Sequence, residues 1–233
     1  MIAIVDYGAG NIRSVERAVH SACMAVGQSP DRVRFVSQPD ELRSAERVLF
    51  PGQGAMHDCM ASLKSSGLEA ALREVMQTKP FFGICVGQQM LFDRSEEGDT
   101  PGLGIFSGQV VKFTAARGVV DQQGQPLKVP HMGWNQVQFT RPHPITQGLE
   151  TNTQGLETNT QGLETNTQGH WFYFVHSFHA EPSDGSDVLG QSDYGIRFTC
   201  AVARDNIVAT QFHPEKSAGS GLKLLENFLT WNP

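Results

Sequence analysis

The sequence predicts an α/β fold: a single domain with a central, mostly parallel sheet, helices on both faces and an antiparallel extension. Three observations carry this. Through the first half of the chain, short apolar runs alternate with helically spaced segments, which is the grammar of βαβ units and parallel strands. From about residue 104 the texture changes to alternating strands separated by polar turns, which suits a mixed or antiparallel addition. A chain of 233 residues that is 39% hydrophobic is long enough to bury one large core.

Taken in order, IAIV (2–5) reads as a buried strand and DYGAGN as a glycine-bearing turn. Ile12, Val15, Val19, Ala22, Cys23 and Val26 then line one face of a helix capped by Asn11. VRFV (33–36), RVLF (47–50) and PFFGIC (80–85) are further short strands, separated by helical spacing such as GLEAALREVMQ (67–77). The second half offers strands at GIFSGQVVKF, WNQVQF, WFYFVHSFH, DVLGQS, RFTCAVAR and NIVATQF. Leu222, Leu225, Phe228 and Leu229 mark a closing helix.

Composition excludes several function classes. A net charge of −6, with no dense Lys/Arg cluster, gives no footprint for nucleic acid. Met1 leads directly into the first strand without a charged leader, and no apolar run approaches a membrane span, so a cytoplasmic protein is expected. Cys23, Cys59, Cys85 and Cys200 lie far apart without CxxC pairs and read as free thiols.

One segment is an internal repeat: QGLETNT begins at 147, 154 and 161, and QG at 168 opens a fourth copy. Each unit holds a single Leu beside Gly and two Thr, a composition that neither nucleates a helix nor builds a solenoid. A repeat-containing surface loop at about 146–169 is expected within one domain spanning 1–233.

The chemistry centres on FFGICVGQQM (81–90). Strand, glycine, one residue, Cys85, one residue, glycine and a helical start (QQMLF) is the strand-turn-helix arrangement of a nucleophile elbow, with cysteine in the serine's place. Glycines are required there because a tight turn leaves no room for side chains, and a following helix aims N–H groups at the sulfur and favours thiolate. A lone GxCxG is equally compatible with a small core thiol. The deciding element is TQFHPEKS (210–217), where His213 and Glu215 share one face of an extended segment stiffened by Pro214. A base needs an orienting group, and a carboxylate two positions on supplies it. LFPGQGAM adds strand-end N–H groups around Gly52 to Gly54 that, with the Val86 N–H, suit an oxyanion.

GICVGQQ, FHPE and PGQGA together resemble the class I glutamine amidotransferases. VDYGAGN, PHMGWN (130–135), YFVHSF (173–178) and HPEKS are similar to one branch of that family, the glutaminase subunits of imidazole glycerol phosphate synthase in histidine biosynthesis. The resemblance covers nearly the whole chain apart from the repeat. It implies a flavodoxin-like amidotransferase fold and hydrolysis of L-glutamine to glutamate and ammonia. Cys85 is implied as nucleophile, His213 as base then acid, and Glu215 as orienting carboxylate. It further implies Gly52, Gly54 and Val86 at the oxyanion and substrate loop, and Gln89, Ser177 and Phe178 at the amino-acid end of glutamine.

The family pairs this subunit, as a heterodimer with an ammonia channel, with a (β/α)8-barrel cyclase that makes imidazole glycerol phosphate and AICAR. The chain carries no barrel repeat and no phosphate loop of its own. Gly10, Asn11, Met132, Trp134, Asn135 and Lys216 are implied at the interface, Trp134 near the ammonia exit. No cofactor is expected. No metal is expected either: His131, His176 and His179 invite one, but HSFH on a strand puts its two imidazoles on opposite faces. Gln88 and Phe178 depart from the family pattern, which more often has an apolar residue and Tyr there. The alternatives are the glutaminase of another two-chain synthase and a non-catalytic regulatory module; PHMGWN and the intact Cys85, His213 and Glu215 argue against them.

Overall fold

The computed structural model describes residues 1–9, 12–149 and 170–233. The first half runs β1 (Ile2–Val5), α1 (Ile12–Ala25), β2 (Val33–Val36), α2 (Pro39–Arg43), β3 (Arg47–Gly52), α3 (Met56–Ser66), α4 (Glu69–Val75), β4 (Phe81–Cys85) and α5 (Val86–Gln89). The second half adds β5 (Phe92–Ser95), β6 (Thr100–Pro101), β7 (Phe106–Lys112), β8 (His131–Phe139), β9 (His170–His176), β10 (Phe178–Pro182), β11 (Val188–Tyr194), β12 (Ile196–Arg204), β13 (Ile207–Thr210) and α6 (Ala218–Thr230).

The strands run β2-β1-β3-β4-β13-β12-β10-β7-β5-β6 across the sheet. The pairings from β2 through β13 are parallel, as the buried, β-branched runs of the first half require. From β12 to β7 neighbours are antiparallel. β11, β8 and β9 branch from β12 as an antiparallel ribbon. Phe82 packs on Phe228 of α6, so Phe81, one residue earlier, faces the other side, where it meets Phe50. The core thus fills both faces of the parallel strands, and β4 carries Cys85 at its C-terminal end, between β3 and β13. Ligands of open parallel sheets bind at that edge.

Three expectations are corrected. QQMLF does not continue as a helix: α5 is a single turn, because segment 102–106 crosses beneath it and captures the carbonyls a longer helix would use. Leu103 N–H donates to Met90 O at 2.7 Å and Ile105 N–H to Leu91 O at 2.8 Å. RVLF does not end at Phe50, since β3 runs on to Gly52, which pairs with Cys85. WFYFVHSFH is two strands: β9 pairs with β8 through His176 and β10 with β7 from Phe178, so the chain changes partner at Ser177. The alternation argument for HSFH therefore fails, and His176, His179 and His131 all gather on Phe113, with ring centroids at 5.2, 4.6 and 6.4 Å.

The Asn11 cap and most of the repeat (150–169) lie outside the described residues. The repeat's first leucine, Leu149, is buried, and Asn227 of α6 donates to Ile145 O and Gln147 O just before it. The four cysteines are free and buried.

Candidate active site

Cys85 has φ 57° and ψ −112°, a conformation an L-residue adopts only under strain and only where surrounding packing enforces it. Here the enforcement comes from three glycines. A Cβ on Gly87 would meet Phe50 O at 2.0 Å, one on Gly52 would meet Gly87 N at 2.8 Å, and one on Gly83 would meet Ala209 Cβ at 3.0 Å. β3 and the elbow touch backbone to backbone, the Ala209 side chain of β13 closes on Gly83, and the bend puts Cys85 at the floor of a cleft.

His213 and Glu215 do not lie on an extended segment as their spacing suggested. Pro214–Lys216 forms a 3₁₀ turn with Pro at its start and His213 as its cap, and the turn closes the pair: His213 Nδ1 lies 2.8 Å from Glu215 Oε1, with side chains only 7% and 5% exposed. Ser217 knits the turn to β9, its hydroxyl donating to His213 O at 2.6 Å and accepting from Tyr173 N–H at 2.9 Å. Burial pulls the His213 pKa down, but the Cys85 charge and hydrogen-bonding power and the Glu215 carboxylate outweigh it and raise the imidazole to about 10. His213 Nε2 is buried without a hydrogen-bond partner among the described residues. The raised pKa favours an imidazolium at neutral pH, with Nδ1–H donating to Glu215 and the Nε2 proton available to be delivered.

The cleft above Cys85 has a volume of about 300 Å³ and is lined by Gly54, Val86, Gln89, Ser177, Phe178, His213 and Lys216 from the sequence-derived set. Gly52 and Glu215 sit behind it, on an adjoining small cavity. Gln53, Glu97 and Pro130 also face the cleft and were not singled out from the sequence, and His176, weighed there only as a metal candidate, joins them. Gln89 gives both amide hydrogens to the protein, to Gln211 Oε1 at 2.9 Å and Phe178 O at 3.4 Å. Its oxygen is left as an acceptor at the cleft.

Phe178 O also accepts from His176 Nδ1 at 2.7 Å, which fixes that nitrogen as the protonated one. His176 Nε2 must then accept from His131 Nδ1, 2.9 Å away, and His131 Nε2 accepts from the Asn135 amide at 3.2 Å. Burial keeps these imidazoles neutral, pushing His131 down to about 4 and His176 well below its usual range. They form a directional hydrogen-bonded line from β8 to the cleft. Among the described residues no group of acidic, His or Cys side chains is arranged to hold a metal ion, and no helix is long and apolar enough to cross a membrane.

The residues assigned to a partner surface divide. Met132 and Trp134 are 62% and 50% exposed on the outer face of β8, and Trp134 packs edge-on against Tyr173. Lys216 Nζ lies 5.7 Å from the Tyr173 ring, at the rim of both cleft and ribbon. Asn135 is on the opposite face, its amide committed to His131 and to Asp193 O; strand alternation from Met132 and Trp134 already puts it there. Gly10 and Asn11 lie outside the described residues.

Gln88 is fully buried. Its NH₂ reaches Ala209 O at 3.4 Å, while its oxygen has no partner among the described residues. An orphaned buried acceptor costs about 1–3 kcal/mol. Gln88→Met, of similar length, is expected to raise the thermal midpoint by about 2–6 °C with little change in glutamine KM; an unchanged or lower midpoint in a melt would show that the oxygen is not a liability.

The class-I glutamine amidotransferase family model matches residues 3–231. The imidazole glycerol phosphate synthase subunit HisH of Neisseria gonorrhoeae is 48% identical over 98% of this chain and 99% of its own. The HisH subunit of Aromatoleum aromaticum is 50% identical over 100% and 99%. In fold, the chain is similar to a crystal structure of a glutamine amidotransferase, with TM-score 0.65 at 16% identity, covering 98% of this chain and 96% of that one. With an elbow cysteine, a buried His–Glu pair and full-length likeness to these proteins, the chain belongs to the class I glutamine amidotransferase family, on its imidazole glycerol phosphate synthase HisH branch.

Proposed function

We propose that this protein is the glutaminase subunit of an imidazole glycerol phosphate synthase in histidine biosynthesis, hydrolysing L-glutamine to glutamate and ammonia for a partner cyclase. The observation that carries the chemistry is the elbow sulfur of Cys85 on the cleft floor beside His213, whose other nitrogen rests on Glu215. The likeness to HisH subunits supports the choice of synthase.

Glutamine enters with its α-ammonium toward the free Gln89 oxygen and its amino-acid end against Ser177 and Phe178. Cys85 thiolate attacks the side-chain carboxamide carbon. The oxyanion that forms is met by backbone N–H groups at Val86 and at Gly52 to Gly54, on the two strand ends that pair at Gly52 and Cys85. His213 then delivers its proton to the departing nitrogen, ammonia leaves, and a γ-glutamyl thioester remains. Water attacks the thioester, His213 takes its proton, and glutamate is released with the thiolate restored. Ammonia passes to a (β/α)8-barrel cyclase docked on the face bearing Met132 and Trp134.

Purified protein is expected to release little glutamate alone and much more, by about 10²-fold or greater, when the cyclase and its nucleotide ligand are added. High turnover that ignores the partner would refute the regulated version. Capture of a different synthase in a pull-down would move the subunit to another pathway.

A further inference from the structure

Gln211, the second residue of TQFHPEKS and given no role by the sequence reading, stands one step past the last paired residues of β13 and β4, Thr210 and Ile84. It is fully buried. Its main-chain N–H is anchored on Cys200 O at 2.8 Å. Its side chain spans two functional groups: Nε2 donates to Cys85 Sγ at 3.7 Å, and Oε1 accepts from Gln89 Nε2 at 2.9 Å.

The orientation of this amide is dictated by its neighbours. Phe178 O is an acceptor only, so Gln89 must present its NH₂ on that side, as the 3.4 Å contact has it. The same NH₂ also faces Gln211, which must answer with its oxygen. The NH₂ of Gln211 is thereby left for the sulfur. A flipped Gln211 would oppose two donors at Gln89 and set its oxygen against a thiolate.

We propose that Gln211 is a positioning residue for the glutaminase reaction, holding the Cys85 sulfur with one end of its amide and setting Gln89 with the other. This rests on the glutaminase reading above. The Gln211 amide is a side-chain donor to the resting sulfur alongside the His213 imidazole. It favours the thiolate rotamer over the cleft floor, and the contact weakens as the sulfur gives up its charge to the carboxamide carbon. Nucleophile and α-ammonium acceptor are spaced by one rigid amide, so the length of the substrate is gauged between them.

The two ends are separable by mutation. Gln211→Glu keeps an acceptor for Gln89 but removes the donor from the sulfur; Gln211→Met removes both and keeps the length. Full-length variants are assayed with the cyclase for glutaminase kinetics, and alone for Cys85 alkylation by iodoacetamide at pH 7, read by peptide mass spectrometry. For Gln211→Glu, alkylation and kcat are expected to fall about tenfold with glutamine KM within about twofold of wild type. For Gln211→Met, alkylation falls about threefold or more and KM rises about fivefold or more. Parallel loss of kcat and KM in both variants, tracking a lower thermal midpoint, would mean a merely structural amide and overturn the proposal, as would unchanged alkylation in Gln211→Met. If the buried charge prevents Gln211→Glu from folding, Gln211→Met decides alone by the same alkylation and KM thresholds. If the wild-type pair releases no glutamate, the glutaminase reading fails, while the alkylation rates still decide whether Gln211 holds the sulfur.

Discussion

Cys85→Ala is expected to lower glutamate release by at least about 10⁴-fold, or about 5.5 kcal/mol of barrier, while leaving glutamine binding within a few-fold of wild type. Alanine keeps a Cβ at the strained φ of 57°, so the elbow carries the same backbone cost as before and the thermal midpoint should move only slightly. What is lost is the atom proposed to bond to substrate. His213→Ala added to Cys85→Ala should cost almost nothing more, because groups that act as a unit lose their effect together. The cyclase reaction should persist when ammonium is supplied directly, since the acceptor chemistry lies on the other polypeptide. Coupled and ammonium-driven assays on the same preparation check both halves. More than a hundredth of wild-type glutaminase activity in Cys85→Ala would remove Cys85 from the role of nucleophile.

The parts of this site that were legible in the sequence are those whose geometry is local. The elbow needs glycines within two residues of Cys85, and His213 finds Glu215 within one turn, so both are written in short strings. The extended segment inferred for FHPE is a 3₁₀ turn, yet a two-residue spacing closes the pair in either conformation. What stayed hidden depends on distant strands. Gln211 reads as an ordinary polar residue beside Phe212 until β13 is laid against β4. The line Asn135–His131–His176 exists because β8 pairs with β9 in a register that places His131 opposite His176, and because the chain leaves that ribbon at Ser177. The short α5 was equally illegible: Met90, Leu91 and Phe92 have helical composition, and their carbonyls are claimed by residues some twelve to fifteen positions on. The outer face of β8, by contrast, follows from simple alternation once its first residue is known, which is why Met132 and Trp134 emerge together and Asn135 does not.

Gly87→Ala should be a severely damaging single-methyl change, and the reason runs against helix propensity. Gly87 lies inside α5, where alanine is ordinarily better by about 1 kcal/mol. Here the added Cβ would stand 2.0 Å from Phe50 O and 3.1 Å from Phe50 C, which are backbone atoms of the central strand β3 and have no rotamer to retreat into. Relief requires α5 and β3 to part. That would open the pairing of Gly52 with Cys85, so stability and the proposed oxyanion donors are lost in one movement. A destabilisation of about 3 kcal/mol or more is expected, equivalent to a fall in thermal midpoint of about 6–12 °C, together with loss of glutaminase activity even below the melt. Gly219→Ala is the control: it places the same methyl inside α6, where the new Cβ meets nothing within 4 Å, and should raise the midpoint slightly. Opposite signs for two identical substitutions in two helices would locate the effect in the contact between elbow and strand; a Gly87→Ala protein as stable and active as wild type would mean that the elbow does not depend on backbone contact with β3.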